Sequence, residues 1–99
     1  MIEELAYIEV KPGMEAAFEQ GVTLAAPLFL RALGCRGIKL CQGIESPLSY
    51  LLRVKWDTVE NHMVDFRGST DFQKWRELVA HCFAQPPRVE HVQVVAGPF

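Results

Sequence analysis

His62 is the residue best suited to proton chemistry. Val59, Met63 and Phe66 mark an apolar stripe after Trp56. At about 100° per residue His62 falls beside that stripe, one turn before Phe66. An imidazole there would stand at the mouth of any space between helices and sheet. With an ordinary pKa near neutrality, it could take a phenolic or activated C–H proton. The protein would supply a base, a dry pocket and some stabilisation of the anion. The alternative is a structural histidine bonded to a nearby backbone group. Trp56 ends its strand just before this segment, so the two side chains can meet at one rim. Tyr50 shares a face with Leu52, Val54 and Trp56, and either places a hydroxyl in the cavity or is a buried ring with its hydroxyl at the edge. Phe66, Phe72 and Trp75 complete the aromatic walls, Phe72 and Trp75 reading first as plain core. His91 alternates with Gln93 in an apolar strand and belongs either to the pocket or to a sheet–sheet interface.

Other groupings are weaker. Arg53 and Lys55 face away from Trp56, toward an interface or solvent rather than clamping an anion. His81-Cys82 and Glu90-His91 are adjacent pairs whose side chains diverge, and His62 with Asp65 lacks a third ligand, so no metal site is expected. No glycine-rich phosphate loop and no nucleophile elbow is present.

The elements that position these residues emerge from periodicity. Residues 3–10 alternate weakly and read as a strand covered on both faces, closed by Lys11-Pro12-Gly13. Residues 14–33 read as a helix with Met14, Ala17, Phe18, Gly21, Ala25, Leu28 and Ala32 inward, kinked or broken at Pro27 and capped by Gly34. Residues 36–44 and 48–56 form an antiparallel hairpin across Glu45-Ser46-Pro47. Asp57 and Glu60 make a capping box for a short helix that stops at Gly68. Ser69 caps a second helix, about 70–84, with Phe72, Trp75, Val79 and Cys82 on one stripe. After Pro86-Pro87 a last strand spans 88–96, and Gly97-Pro98-Phe99 is a loose tail.

Composition sets the bounds. The 99 residues are 49% apolar and 22% charged, one globular domain over 1–99. A chain this size hides roughly 65% of its unfolded surface, so a partner subunit would help. Ten basic against twelve acidic residues give net charge −2, a poor match to nucleic acid. Glu3 and Glu4 do not suit a signal peptide, and no apolar run approaches a membrane span. The three cysteines, Cys35, Cys41 and Cys82, read as reduced thiols of a cytoplasmic protein.

Strand, helix, strand, strand, paired helices, strand is the order of a ferredoxin-like α+β unit: a four-stranded antiparallel sheet with helices on one face. Leu5, Tyr7, Cys41, Leu51, Val89 and Val95 are assigned to the second face, where a partner's sheet would cover them. The ordered set of Lys11-Pro12-Gly13 with Glu15 and Phe18, Gly34-Cys35-Arg36-Gly37, Tyr50 to Trp56, Asp57-Thr58-Val59-Glu60-Asn61-His62, Phe66-Arg67-Gly68-Ser69, Phe72-Gln73-Lys74-Trp75 and Val89-Glu90-His91 resembles the antibiotic biosynthesis monooxygenase family over about 90 residues. The resemblance implies a homodimeric α+β barrel, packed sheet to sheet. It also implies a monooxygenase that acts on an aromatic or quinone-like compound with no cofactor. Its haem-degrading branch uses an Asn, a Trp and a His, where this chain has Ala6, Phe66 and Arg76, so haem degradation ranks low. His62 is then the catalytic residue, with Trp56, Tyr50, Phe66, His91 and Trp75 around the substrate. The competing reading is a non-catalytic homodimer that binds a small apolar ligand or another protein.

Overall fold

A computed structural model describes all 99 residues. The chain runs β1 (Ile2–Glu9), α1 (Glu15–Leu30), β2 (Cys35–Gln42), β3 (Ser49–Trp56), a π-helix (Asn61–Phe66), α2 (Thr70–Val79), a single 3₁₀ turn (Ala80–Cys82) and β4 (Arg88–Val92). The sheet order is β2-β3-β1-β4 and every pairing is antiparallel. This is the ferredoxin-like α+β arrangement that the element order implies.

Alternation sorts the strands into two faces. Ala6 and Ile8 of β1 and Tyr50, Leu52, Val54 and Trp56 of β3 point toward the helices and are buried. Phe18, Val22, Ala25 and Phe29 of α1 and Trp75 and Val79 of α2 close over them. Each such large side chain contributes about 1.5–3 kcal/mol. The inward stripe of α1 therefore runs through Val22 and Phe29, while Ala17 is exposed. α1 also passes through Pro27 without interruption. Pro27 and Thr23 both face solvent, so water can satisfy the carbonyl that the proline leaves without a partner. Where α1 crosses α2 the helices are close: a Cβ on Gly21 would lie 2.9 Å from the Leu78 carbonyl oxygen.

The segment after β3 departs most from expectation. Asp57 is drawn into a two-pronged pair with Arg36, at 2.9 and 2.8 Å. The reciprocal cap moves one residue along, to Thr58 and Asn61. The chain then makes a wide turn in which the Arg67 N–H donates to the His62 carbonyl at 3.0 Å, the five-residue step of a π-helix. The wider winding aligns His62 with Phe66. These two are buried while Val59 and Met63 are exposed, so His62 is inside the stripe rather than beside it. Ser69 caps α2 as expected, accepting from the Phe72 N–H at 3.2 Å. α2 stops at Val79, short of 84.

The second face of the sheet carries Leu5, Tyr7, Cys41 and Leu51, all half-buried. Arg88 lies 4.1 Å from the Tyr7 ring centroid, and Arg53 pairs with Glu3. Val89 and Val95 do not belong to this face. Val89 pairs with Ala6 and so points to the helix side, and β4 ends at Val92, leaving Val95 in an exposed extension.

Candidate active site

Four elements bring one polar cluster into the core. Glu4 occupies an inward position of β1, in phase with Ala6 and Ile8, and is only 4% exposed. Its register partners are Val54 on β3 and His91 on β4, so the sheet sets His91 beside it. Trp56 closes β3 and donates its indole N–H to Glu4 Oε1 at 3.0 Å. The π-helix lays His62 over Trp56, the rings stacked 5.5 Å apart and 18° from parallel. His62 Nε2 then stands 3.3 Å from Glu4 Oε1, and Nδ1 stands 2.8 Å from His91 Nε2. Ionised Oε1 is an acceptor, which favours the proton on His62 Nε2. His62 Nδ1 then accepts from the His91 Nε2–H.

Burial governs the electrostatics. It lifts the Glu4 carboxyl from an ordinary 4.5 to about 7, against the pull of the Trp56 N–H and the Arg67 charge. It pushes His62 from 6.5 down to about 4, helped by His91 and Arg67. Each side chain is thus held toward its neutral form, and the one that changes charge near neutral pH is the carboxyl.

This cluster borders a cavity of about 220 Å³ between sheet and helices. Glu4 and His62 share its wall with Ala6, Trp75, Phe72, Phe83 and Val89, and with Arg67 and Arg76. Glu4 Oε2 has no protein partner. It is not sealed off either, because the one fully buried side-chain polar atom without a partner is Glu15 Oε1. The site thus offers a ligand one free carboxyl oxygen, while His62 Nδ1 is engaged by His91 and Nε2 stands beside Glu4 Oε1.

The chain matches the family model for antibiotic biosynthesis monooxygenases over residues 1–78. It belongs to the antibiotic biosynthesis monooxygenase family. A family structure from Bordetella bronchiseptica is 59% identical, with TM-score 0.95, covering 96% of this chain and 97% of the other. The Bacillus subtilis protein YczJ, itself uncharacterised, is 37% identical over 96% of this chain and 100% of its own length. SnoaB of Streptomyces nogalater, a cofactor-independent oxygenase, shares the fold at TM-score 0.83 and 14% identity, covering 98% and 95% of the two chains.

Within this antibiotic biosynthesis monooxygenase fold the expected pocket residues separate. His62 and Trp75 line the cavity. Trp56 is wholly buried beneath His62 and touches the site only through Glu4 and the imidazole. His91 backs His62 on the helix side of the sheet, which places it in neither of its two expected positions. Tyr50 and Phe66 are not cavity walls. The Tyr50 hydroxyl donates to Glu19 on α1 at 2.6 Å, because α1 crosses that end of β3. Phe66 packs against Phe29, Trp56 and Phe72. His81 and Cys82 do not diverge, since Nε2 and Sγ are 3.6 Å apart. Periodicity and motif do not single out Glu4, Arg67 and Arg76 as site residues. The readable signal for Glu4 is a carboxylate in phase with the buried side of a strand. No helix is long and apolar enough to cross a membrane.

Proposed function

We propose that this protein is a cofactor-independent monooxygenase of a small aromatic or quinone-like compound, with Glu4 as its base. The observation that carries the reading is the buried Glu4 carboxyl, poised near neutrality with Oε2 free at the cavity wall. Glu4 Oε2 takes the proton of a phenolic hydroxyl. The phenolate gives one electron to dioxygen, and the resulting radical pair joins as a carbon-bound peroxide. Loss of water leaves a quinone: one oxygen atom enters the product and the other leaves as water. The substrate supplies all four electrons, so no outside reductant is needed. His62 is a positioning residue that presents Nε2 to Oε1, and His91 fixes its tautomer. The SnoaB likeness supports this chemistry on the fold, and the apolar walls would exclude bulk water.

Oxygen uptake with one- and two-ring phenols and hydroquinones, with no metal or flavin added, tests the reading. Uptake matched by quinone formation is expected. Absence of uptake across the panel, with the same compounds still binding, would contradict it and favour the non-catalytic binding module.

A second copy of the chain is the proposed cover for the open sheet face, through Leu5, Tyr7, Cys41 and Leu51. Light scattering at micromolar protein is expected to give twice the chain mass of 11.2 kDa. Leu51→Glu should reduce it to the monomer mass by placing an unpaired charge in that apolar strip. A monomeric parent protein would refute the pairing.

A further inference from the structure

The six arginines of the chain divide into two groups. Arg31, Arg36, Arg53 and Arg88 each pair with a carboxylate. Arg67 and Arg76 do not, and these are the two that border the cavity. Arg67 leaves the end of the π-helix, and its guanidinium lies 5.6 Å from the Phe72 ring centroid, with one nitrogen 3.8 Å from Met63 Sδ. Arg76 reaches the same space from α2. Glu4 is the sole carboxylate on the cavity wall, and neither arginine is within ion-pair distance of it. Two unneutralised guanidiniums at the rim of an apolar space are suited to an anion, and their planar donors match a carboxylate.

The volume limits the rest of the ligand. A cavity of about 150 Å³ takes one benzene ring, so about 220 Å³ suits one or two fused rings. We infer that the natural ligand is a one- or two-ring aromatic bearing a carboxylate. Its ring would lie against Trp75, Phe72 and Val89, and its carboxylate would be held by Arg67 and Arg76, apart from the reacting hydroxyl at Glu4. This rests on reading the cavity as the substrate site.

Calorimetric titration of the intact protein with 1-naphthoate and with its neutral counterpart 1-naphthamide tests it without requiring turnover. Naphthoate is expected to bind about tenfold or more tightly than the amide. The Arg67→Gln/Arg76→Gln double variant should bring the two within about twofold, chiefly through weaker naphthoate binding. Equal binding of both probes to the parent protein overturns the carboxylate assignment and leaves the base at Glu4 untouched. A preference that survives in the double variant overturns the assignment to these arginines. Failure of both probes to bind overturns the inference together with the cavity reading. A silent oxygen assay with intact naphthoate preference separates the failure of the oxygenase reading from this one.

Discussion

Glu4→Gln is expected to silence the protein and to stabilise it. Glutamine keeps an oxygen for the Trp56 N–H but cannot take a proton, so turnover should fall by about 10²–10⁴-fold. The stability gain comes from the pKa. In the native state the carboxyl sits near 7 rather than 4.5, a gap worth about 3 kcal/mol. A carboxyl raised in the folded state favours folding at low pH, where both states hold the proton. That support is lost as pH rises from the unfolded value through the folded one. Parent and variant should therefore be equally stable near pH 4.5. The variant should lead by about 3 kcal/mol at pH 8, measured by urea unfolding across that window. Equal stability at both ends would mean that Glu4 is an ordinary carboxylate.

His62→Phe gives the mirror result. Phenylalanine preserves a flat ring over Trp56 and removes both nitrogens. Without the polar Nε2 group at 3.3 Å, ionised Glu4 loses a neighbour that can solvate its charge and its pKa should climb further. Turnover should drop by about tenfold to a hundredfold at pH 7, with part of the loss recovered at higher pH. A merely space-filling His62 would leave the pH profile where it was. The stability gain appears in the opposite pH direction to that of Glu4. His62 is depressed to about 4 from 6.5, so the unfolded chain takes up this proton first. The native state loses support as pH falls from 6.5 toward 4. The phenylalanine variant escapes that loss. Its stability relative to the parent should improve by about 3 kcal/mol between pH 8 and pH 4. The site thus burdens the fold from both ends of the pH range.

Much of this arrangement is legible in the residues. Period-two alternation separates the inward Tyr50, Leu52, Val54 and Trp56 from the outward Arg53 and Lys55. Ser69 announces the start of α2. His62 stands out because it lies near an apolar stripe ahead of Phe66. Its depth is not legible, since a 3.6-residue wheel cannot anticipate a π-helix. The start of that segment is no more legible, because Asp57 leaves its capping role for Arg36, a contact between distant segments. Glu4 is legible in principle: the alternation that buries Ala6 and Ile8 also buries it. It is easily passed over, because an acidic N-terminus speaks first to targeting and only then to strand phase. The pairing of Glu4 with His91 needs the β1–β4 register, which no local pattern supplies. Tyr50 shows the converse limit. Its face is readable from alternation, but the destination of its hydroxyl depends on α1 and Glu19.

The most direct test of the account is the titration of the Glu4 carboxyl by carbon-13 NMR, with the resonance identified by its absence in Glu4→Gln. A midpoint near 7, together with a His62 that stays neutral to below pH 5, is the predicted result. A midpoint near 4.5 would contradict the account, because a carboxylate that is fully ionised at every physiological pH is not the tuned base the cavity is proposed to hold.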